Sequence, residues 1–304
     1  MQLDTRKDQR VRSLWMLVAA FMFACMGVLV KLGAAYFSST ELVFYRSLFG
    51  VWMTYLILRY YRLSVRTPHW RIHCWRGITG LVSLLMFFYC LTQLPLATAI
   101  SLNYTWPLFV ALFSTLILKE HVQWPLIWAV LLGFAGIILL MRPTLPEDHW
   151  LASLMGMASG FFAAIAYINV KQLGNLGETE WHVVFYFTLI STLVTGVWLL
   201  FTTFNPVTWH GLLLLLGIGL TATLAQLAMT RAYHQGVTLV VTSLGYSTVL
   251  FSSIWGILLW NELLSPIGKL LQRAQWSLPE CTSAIPRYQK CRIAANPVCG
   301  HSFT

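Results

Sequence analysis

The feature that most restricts this chain is a recurrence of apolar runs, each close to the ~20 residues a helix needs to cross a bilayer. Nine can be delimited: Leu14–Leu32, Leu42–Tyr60, Gly77–Leu94, Leu96–Leu118, Trp124–Met141, Leu151–Val170, His182–Phe201, Gly211–Met229 and Val237–Trp260. Between them stand "QLPLA", "KEHVQWP", "RPTLPEDHW", "GNLGETE", "FNPVTWH" and "YHQG". Proline and glycine at such places end helices for backbone reasons. The runs are continuous rather than alternating every second residue, which argues for helices and against a β-barrel. Trp15, Trp70, Trp75, Trp124, Trp150, Trp181, Trp209 and Trp260 lie near run ends, as interfacial anchors do.

Composition agrees. Charged residues make up 10% of the chain and apolar ones 58%, whereas soluble domains carry about 25% charged residues. A soluble fold of this length could not cover itself with so few charges. The net charge of +10 would suggest nucleic acid in a soluble protein. Here the positives cluster between apolar runs, and no basic-aromatic RNA motif is present. The expected surroundings are a lipid bilayer, with no nucleic-acid partner. The first run follows Arg6, Lys7, Arg10 and Arg12 like a signal peptide. No small-residue cleavage site follows it, so it is expected to remain as the first helix.

Lysine and arginine set the expected orientation. The amino-terminal arm holds four, and Arg59, Arg62, Arg66, Arg71 and Arg76 are counted in the connection after the second run. Lys119, Lys171 and Arg231 fall in later connections on the same side. The opposite side offers essentially Arg142. The amino terminus is therefore expected in the cytoplasm.

The chain also resembles itself at a shift of 140 to 142 residues. "SLNYTWPLF" (Ser101–Phe109) aligns with "SLGYSTVLF" (Ser243–Phe251), and Glu120 falls opposite Glu262. "SLWMLVAAFMFA" (Ser13–Ala24) aligns with "SLMGMASGFFAA" (Ser153–Ala164), Lys31 with Lys171, and Val43–Tyr45 with Val184–Tyr186. A unit of five helices is odd-numbered, so a second copy inserts upside down. Inverted repeats are common among secondary transporters, with a substrate site near the midplane between the halves.

The duplicated five-helix unit, the "LKEHVQWP" junction and the "FYR" at the start of the second run resemble the EamA-like branch of the drug/metabolite transporter superfamily. The resemblance runs from Leu14 to about Gly268. It implies ten helices, a central cavity lined by the first four helices of each half, and alternating access. It also implies small metabolites as substrates, amino acids or related compounds, mostly exported, from a bacterial inner membrane. The expected fold is thus an all-α polytopic membrane protein of two inverted five-helix repeats. It divides into a basic arm (1–13), a first repeat (14–142), a second repeat with four helices (151–265) and a tail (266–304).

Polar side chains inside spans are costly unless they face protein or water. Arg46, Ser101, Asn103, Tyr104, Gln226, Ser243 and Tyr246 are the candidate substrate-binding residues. Ser101 and Tyr104 share a helix face, as do Ser243 and Tyr246. Arg46 suits a carboxylate; pairing with Glu41 or reaching the interface are its alternatives. Helix–helix hydrogen bonding is the alternative for the others. Lys31, Glu120 and Glu262, at span ends, are expected to cap or gate. Gly156, Gly160 and Ala164 form a small-residue stripe suited to close helix packing.

No metal or cofactor site is expected. His69, His73 and Cys74 in "HWRIHC" are surrounded by arginines, which disfavour a cation. Cys281, Cys291, Cys299 and His301 lack zinc-ligand spacing, and the cysteines form no disulfide framework. No paired acids, His–acid pair or metal cluster favours a membrane enzyme, and no charged ring or carbonyl filter favours a channel. A transport-inactive or truncated chain stays open as an alternative, and so does a homodimer as the assembly.

The tail departs from the repeat. The fifth run, shifted by 142, should recur as a tenth helix from Pro266 to Ser283, where "PIGKLLQRAQWSLPECTS" stands. Lys269, Arg273 and Glu280 would each cost about 2.5–3.5 kcal/mol at a membrane centre. The tenth helix is therefore expected to be missing or replaced, with the reading frame lost just after Gly268; a genuine alternative terminus is the competing reading.

Overall fold

The computed structural model describes residues 12–117, 124, 127–128, 130–132, 134–135, 150–202 and 205–260. All belong to one compact unit, Met1–Ser265. Most of the amino-terminal arm, most of the fifth run, Glu120, Glu262 and the whole tail, with its expected missing helix, lie outside the described residues.

Every described element is a helix: α1 (Trp15–Gly33), α2 (Ser39–Tyr60), α3 (Trp70–Gln93), α4 (Leu96–Asn103), α5 (Trp106–Leu116), α6 (Trp150–Asn175), α7 (Glu180–Leu199), α8 (Trp209–Gln235), α9 (Thr238–Gly245) and α10 (Ser247–Trp260). Among the described residues seven helices are long and apolar enough to span a membrane, counting α9 and α10 as one. Each leaves about half of its apolar window outward, with 44–50% buried. Trp52, Leu193, Trp198 and Leu213 are among the large apolar side chains so exposed, the surface a lipid solvent requires.

Local chemistry sets the helix ends. Ser38 and Glu41 form a reciprocal capping box at the start of α2. Thr179 caps α7 by accepting from the His182 amide, and Thr208 caps α8 by accepting from Gly211. Gly177 ends the α6 turn at φ 81°, a left-handed conformation that costs other residues about 1–2 kcal/mol. That turn aims Glu178 back toward α3.

The fourth expected span is broken. α4 ends at Asn103, Tyr104 and Thr105 form a turn, and α5 resumes at Trp106 with Pro107 in its first turn. The ninth breaks likewise at Tyr246, between α9 and α10. Packing runs across the chain's midpoint: α3 lies chiefly against α6, α1 against α8, and α2 against α7. The small residues of α6 also let the broken fourth span approach closely. A Cβ on Gly160 would meet Thr105 Oγ1 and, at 2.7 Å, the carbonyl oxygen of Asn103. One on Gly156 would meet Leu102 Cβ at 2.9 Å.

One boundary differs from expectation in a way that matters. α3 starts at Trp70, seven residues before the expected Gly77. Arg76, counted by sequence as part of a basic connection, is instead in a spanning helix and buried. The apolar run understates the helix because the cation is covered by protein rather than lipid.

Candidate functional site

Many of the buried hydroxyls are occupied by their own helices. Thr54 donates to the Gly50 carbonyl at 2.6 Å, Thr188 to Val184 at 2.9 Å and Thr223 to Gly219 at 2.7 Å. Back-bonding of this kind satisfies the hydroxyl locally. A different set of polar groups faces a central cavity of about 750 Å³, counting its open part.

Arg46 from α2 and Arg76 from α3 dominate that cavity, and each is 2% exposed. Both guanidinium groups lie over the ring of Phe187, at 5.7 Å and 4.2 Å from its centroid. Arg76 Nη2 donates to Gln226 Oε1 at 3.3 Å. Nε and Nη1 of both arginines have no hydrogen-bond partner. A cation–π contact is worth about 0.5–2 kcal/mol, whereas burying a charge costs several kcal/mol per ion. Phe187 therefore offsets only part of the cost. Among the described residues the carboxylates are Glu41, Glu178 and Glu180, and none lines the cavity.

The structure brings four of the sequence candidates together here: Arg46, Asn103, Tyr104 and Gln226 all line the cavity. Asn103 Nδ2 donates to Ser159 Oγ at 2.8 Å, which holds the helix break against α6. Tyr104 and Tyr246 lie with ring centroids 6.4 Å apart, but Tyr246 is not a lining residue. Ser243 donates to the Leu239 carbonyl at 2.7 Å, within its own helix. Ser101 is buried outside the lining. Lys31 sits in the last turn of α1 with its ammonium 4.7 Å from the Trp260 ring centroid.

Sequence reasoning missed Arg76, Tyr167, Phe187 and Trp106 as cavity residues. A signal for Phe187 existed: extending the "VFY" match by one residue sets it opposite Arg46. Nothing in the sequence separates Tyr167 from an aromatic facing lipid.

A second cluster lies where the α2–α3 and α6–α7 connections meet. Glu178 accepts from Thr67 Oγ1, and its Oε1 is 2.9 Å from His69 Nδ1. Its Oε2 is 3.7 Å from both His73 Nε2 and His182 Nδ1. His182 Nε2 lies 2.6 Å from the Ser64 carbonyl oxygen, and the Tyr186 hydroxyl donates to Val65 at 2.9 Å. Burial pushes the Glu178 carboxyl up, but the hydrogen bonds and nearby His73 and His182 outweigh it, so its pKa is lowered overall. Among the described residues no group of three or more His, Cys, Asp or Glu side chains is placed to hold a metal ion. At the other end of α2, Glu41 accepts from the Asn205 amide at 2.7 Å and from Asn205 Nδ2 at 2.8 Å.

A bundle of spanning helices around a largely apolar cavity that holds two buried arginines suits a membrane transporter, and comparison with known proteins agrees. Residues 12–142 match the EamA-like transporter family. The pseudopaline exporter of Pseudomonas aeruginosa is 33% identical over 248 residues, 81% of this chain and 86% of that protein. The riboflavin transporter of Vibrio cholerae is 30% identical over 239 residues, 73% of this chain and 75% of that protein. A solved crystal structure superposes with a TM-score of 0.70 at 18% identity, covering 87% of this chain and 93% of its own, which supports the fold alone. The chain belongs to the EamA-like transporter family and is an integral membrane protein. Its relatives are transporters of small molecules rather than enzymes.

Proposed function

We propose that this chain is a secondary transporter that exports a small metabolite, an amino acid or a related compound, across a bacterial inner membrane by alternating access. The observation that carries this is the central cavity itself. It draws its lining from α1, α2, α3, α6, α7 and α8 and from both broken spans, and it holds buried polar groups that lack partners. Intramembrane ionisable groups of this kind mark substrate paths. The outward direction is supported by the relative that is an exporter.

Two inverted repeats are supported by several independent features. Exchanging first and second halves turns the α1–α8 pair into the α6–α3 pair and leaves α2–α7 as itself, and these are the chief packings. The helix breaks fall at aligned Tyr104 and Tyr246. Ser38 and Thr179, also aligned, are both side-chain caps. In this arrangement the Glu178 and Glu41 clusters tie opposite ends of the cavity. Glu178 belongs to the cytoplasmic side with the amino terminus, and Glu41 to the outer side. Each would open in turn. Arg46, Asn103, Tyr104 and Gln226 would contact substrate, while Ser101, Ser243 and Tyr246 would support the two breaks.

The test compares metabolites released by cells carrying the wild-type chain and an Arg46→Ala variant, followed by counterflow in vesicles. The expected result is a compound exported by the wild type, showing saturable counterflow that falls at least tenfold in the variant. Identical release profiles and no counterflow from either form would reject the reading in favour of a transport-inactive chain.

A further inference from the structure

We infer that the cavity is a binding site for a small organic dianion, two carboxylates on one short skeleton, held between Arg46 and Arg76. This rests on the cavity being the transport site proposed above, and it names the class of substrate. The two guanidinium groups come from adjacent spans and share one aromatic ring, within 5.7 Å of its centroid in both cases. One small molecule can therefore touch both. Each keeps Nε and Nη1 without a partner although both side chains are 2% exposed.

The charge balance decides the class. The described carboxylates are engaged elsewhere or lie off the cavity: Glu41 holds Asn205, Glu178 holds Thr67 and His69, and Glu180 starts α7. A neutral or cationic substrate would leave two buried cations uncompensated, and a monoanion would leave one. A dianion neutralises both. Guanidinium favours carboxylate through its planar fork of N–H donors. The amide of Gln226 already accepts from Arg76 Nη2, which fixes that fork. Phe23, Met26, Leu84 and Phe87 wall the remainder with apolar surface, which suits a short carbon skeleton between the charged ends.

The test is calorimetric titration of the purified full chain with succinate, glutarate and adipate, against butyrate, inorganic phosphate and putrescine. At least one dicarboxylate should bind at least tenfold more tightly than butyrate. Arg76→Gln should remove that preference by weakening dicarboxylate binding at least tenfold more than butyrate binding. Should Arg76→Gln fail to fold, Arg76→Lys keeps the charge without the fork, and dicarboxylate binding should weaken more than butyrate binding. Equal affinity for dicarboxylates and butyrate, a preference that survives Arg76→Gln, parallel weakening of both in Arg76→Lys, tighter binding of phosphate, or binding of none would each overturn the inference. Binding and transport fail separately. A dicarboxylate that binds in this manner without counterflow in vesicles sinks the transport reading alone. Counterflow of a neutral or cationic metabolite with no dicarboxylate binding sinks only the substrate class.

Discussion

Gly160→Ala tests whether α6 holds the broken fourth span by direct backbone contact. Alanine is the better helix former by about 0.8–1.0 kcal/mol, so propensity alone predicts a gain in stability. The geometry predicts a larger loss. The added Cβ would meet Thr105 Oγ1, the Asn103 carbonyl oxygen at 2.7 Å and the Trp106 amide nitrogen at 3.1 Å. Two of these are backbone atoms that cannot swing aside, and overpacking costs about 1–3 kcal/mol. Two fixed backbone contacts place the overpacking in the upper part of that range, about 2–3 kcal/mol, so the net expectation is a destabilisation of about 1–2 kcal/mol once propensity is subtracted. Gly217→Ala is the control. Its Cβ would meet only the tip of Leu29, at 3.1 Å and 3.9 Å, which can move. That variant should be neutral or slightly stabilised. The assay is reversible unfolding in mixed detergent micelles followed by circular dichroism. A Gly160→Ala protein as stable as the wild type, or the same shift in both variants, would refute the argument.

Three further outcomes follow from other parts of the bundle. The Glu178 pKa is held below its ordinary value of 4.5, so its stabilising effect is complete above that pH and is lost as pH falls through the lowered pKa. Wild type should therefore lose more thermal stability between pH 5 and pH 3 than Glu178→Gln, and equal losses would refute a charged Glu178. Gly177→Ala, at φ 81°, should cost about 1–2 kcal/mol in the same unfolding assay from the clash of Cβ with its own backbone, with nothing added by other residues because a Cβ there meets none of them within 4 Å. Asn205→Ala removes the Nδ2 hydrogen bond to the Glu41 carboxylate and keeps the one from the backbone N–H; a bond to a charged group is worth about 1.5–3 kcal/mol, and faster hydrogen exchange at Asn205 and the start of α8 should report the loss.

Seven of the nine expected spans, and Arg46 within one of them, were legible because the cost of insertion is nearly local: a run of apolar residues, or a cation within one, carries its meaning in its own neighbourhood. Arg76 was not, since it stands at the edge of a basic segment that looks like a connection. Its burial depends on Gln226, 150 residues away, and on Phe187. The hydroxyl candidates differ in this. Ser243 and Ser101 align in sequence at a shift of 142 residues, and only geometry reveals that Ser243 is bonded to Leu239. The break at Tyr104 had a local signal in Pro107, which has no N–H for the Asn103 carbonyl four residues back, but the way α6 holds the turn from outside had none.

The pairing of α1 with α8, α2 with α7 and α3 with α6 has a consequence for synthesis of the chain. Each early helix enters the membrane before its main neighbour exists. At roughly 5–20 residues per second, the 150 residues between Arg76 and Gln226 take about 8–30 s to make. Through that interval two arginines must remain without their eventual surroundings, each at an insertion cost of about 2.5–3.5 kcal/mol if held at the membrane centre. The early helices are therefore most exposed to misplacement and to membrane proteases while the ribosome is still at work, and the cavity comes into being only when its last wall is translated.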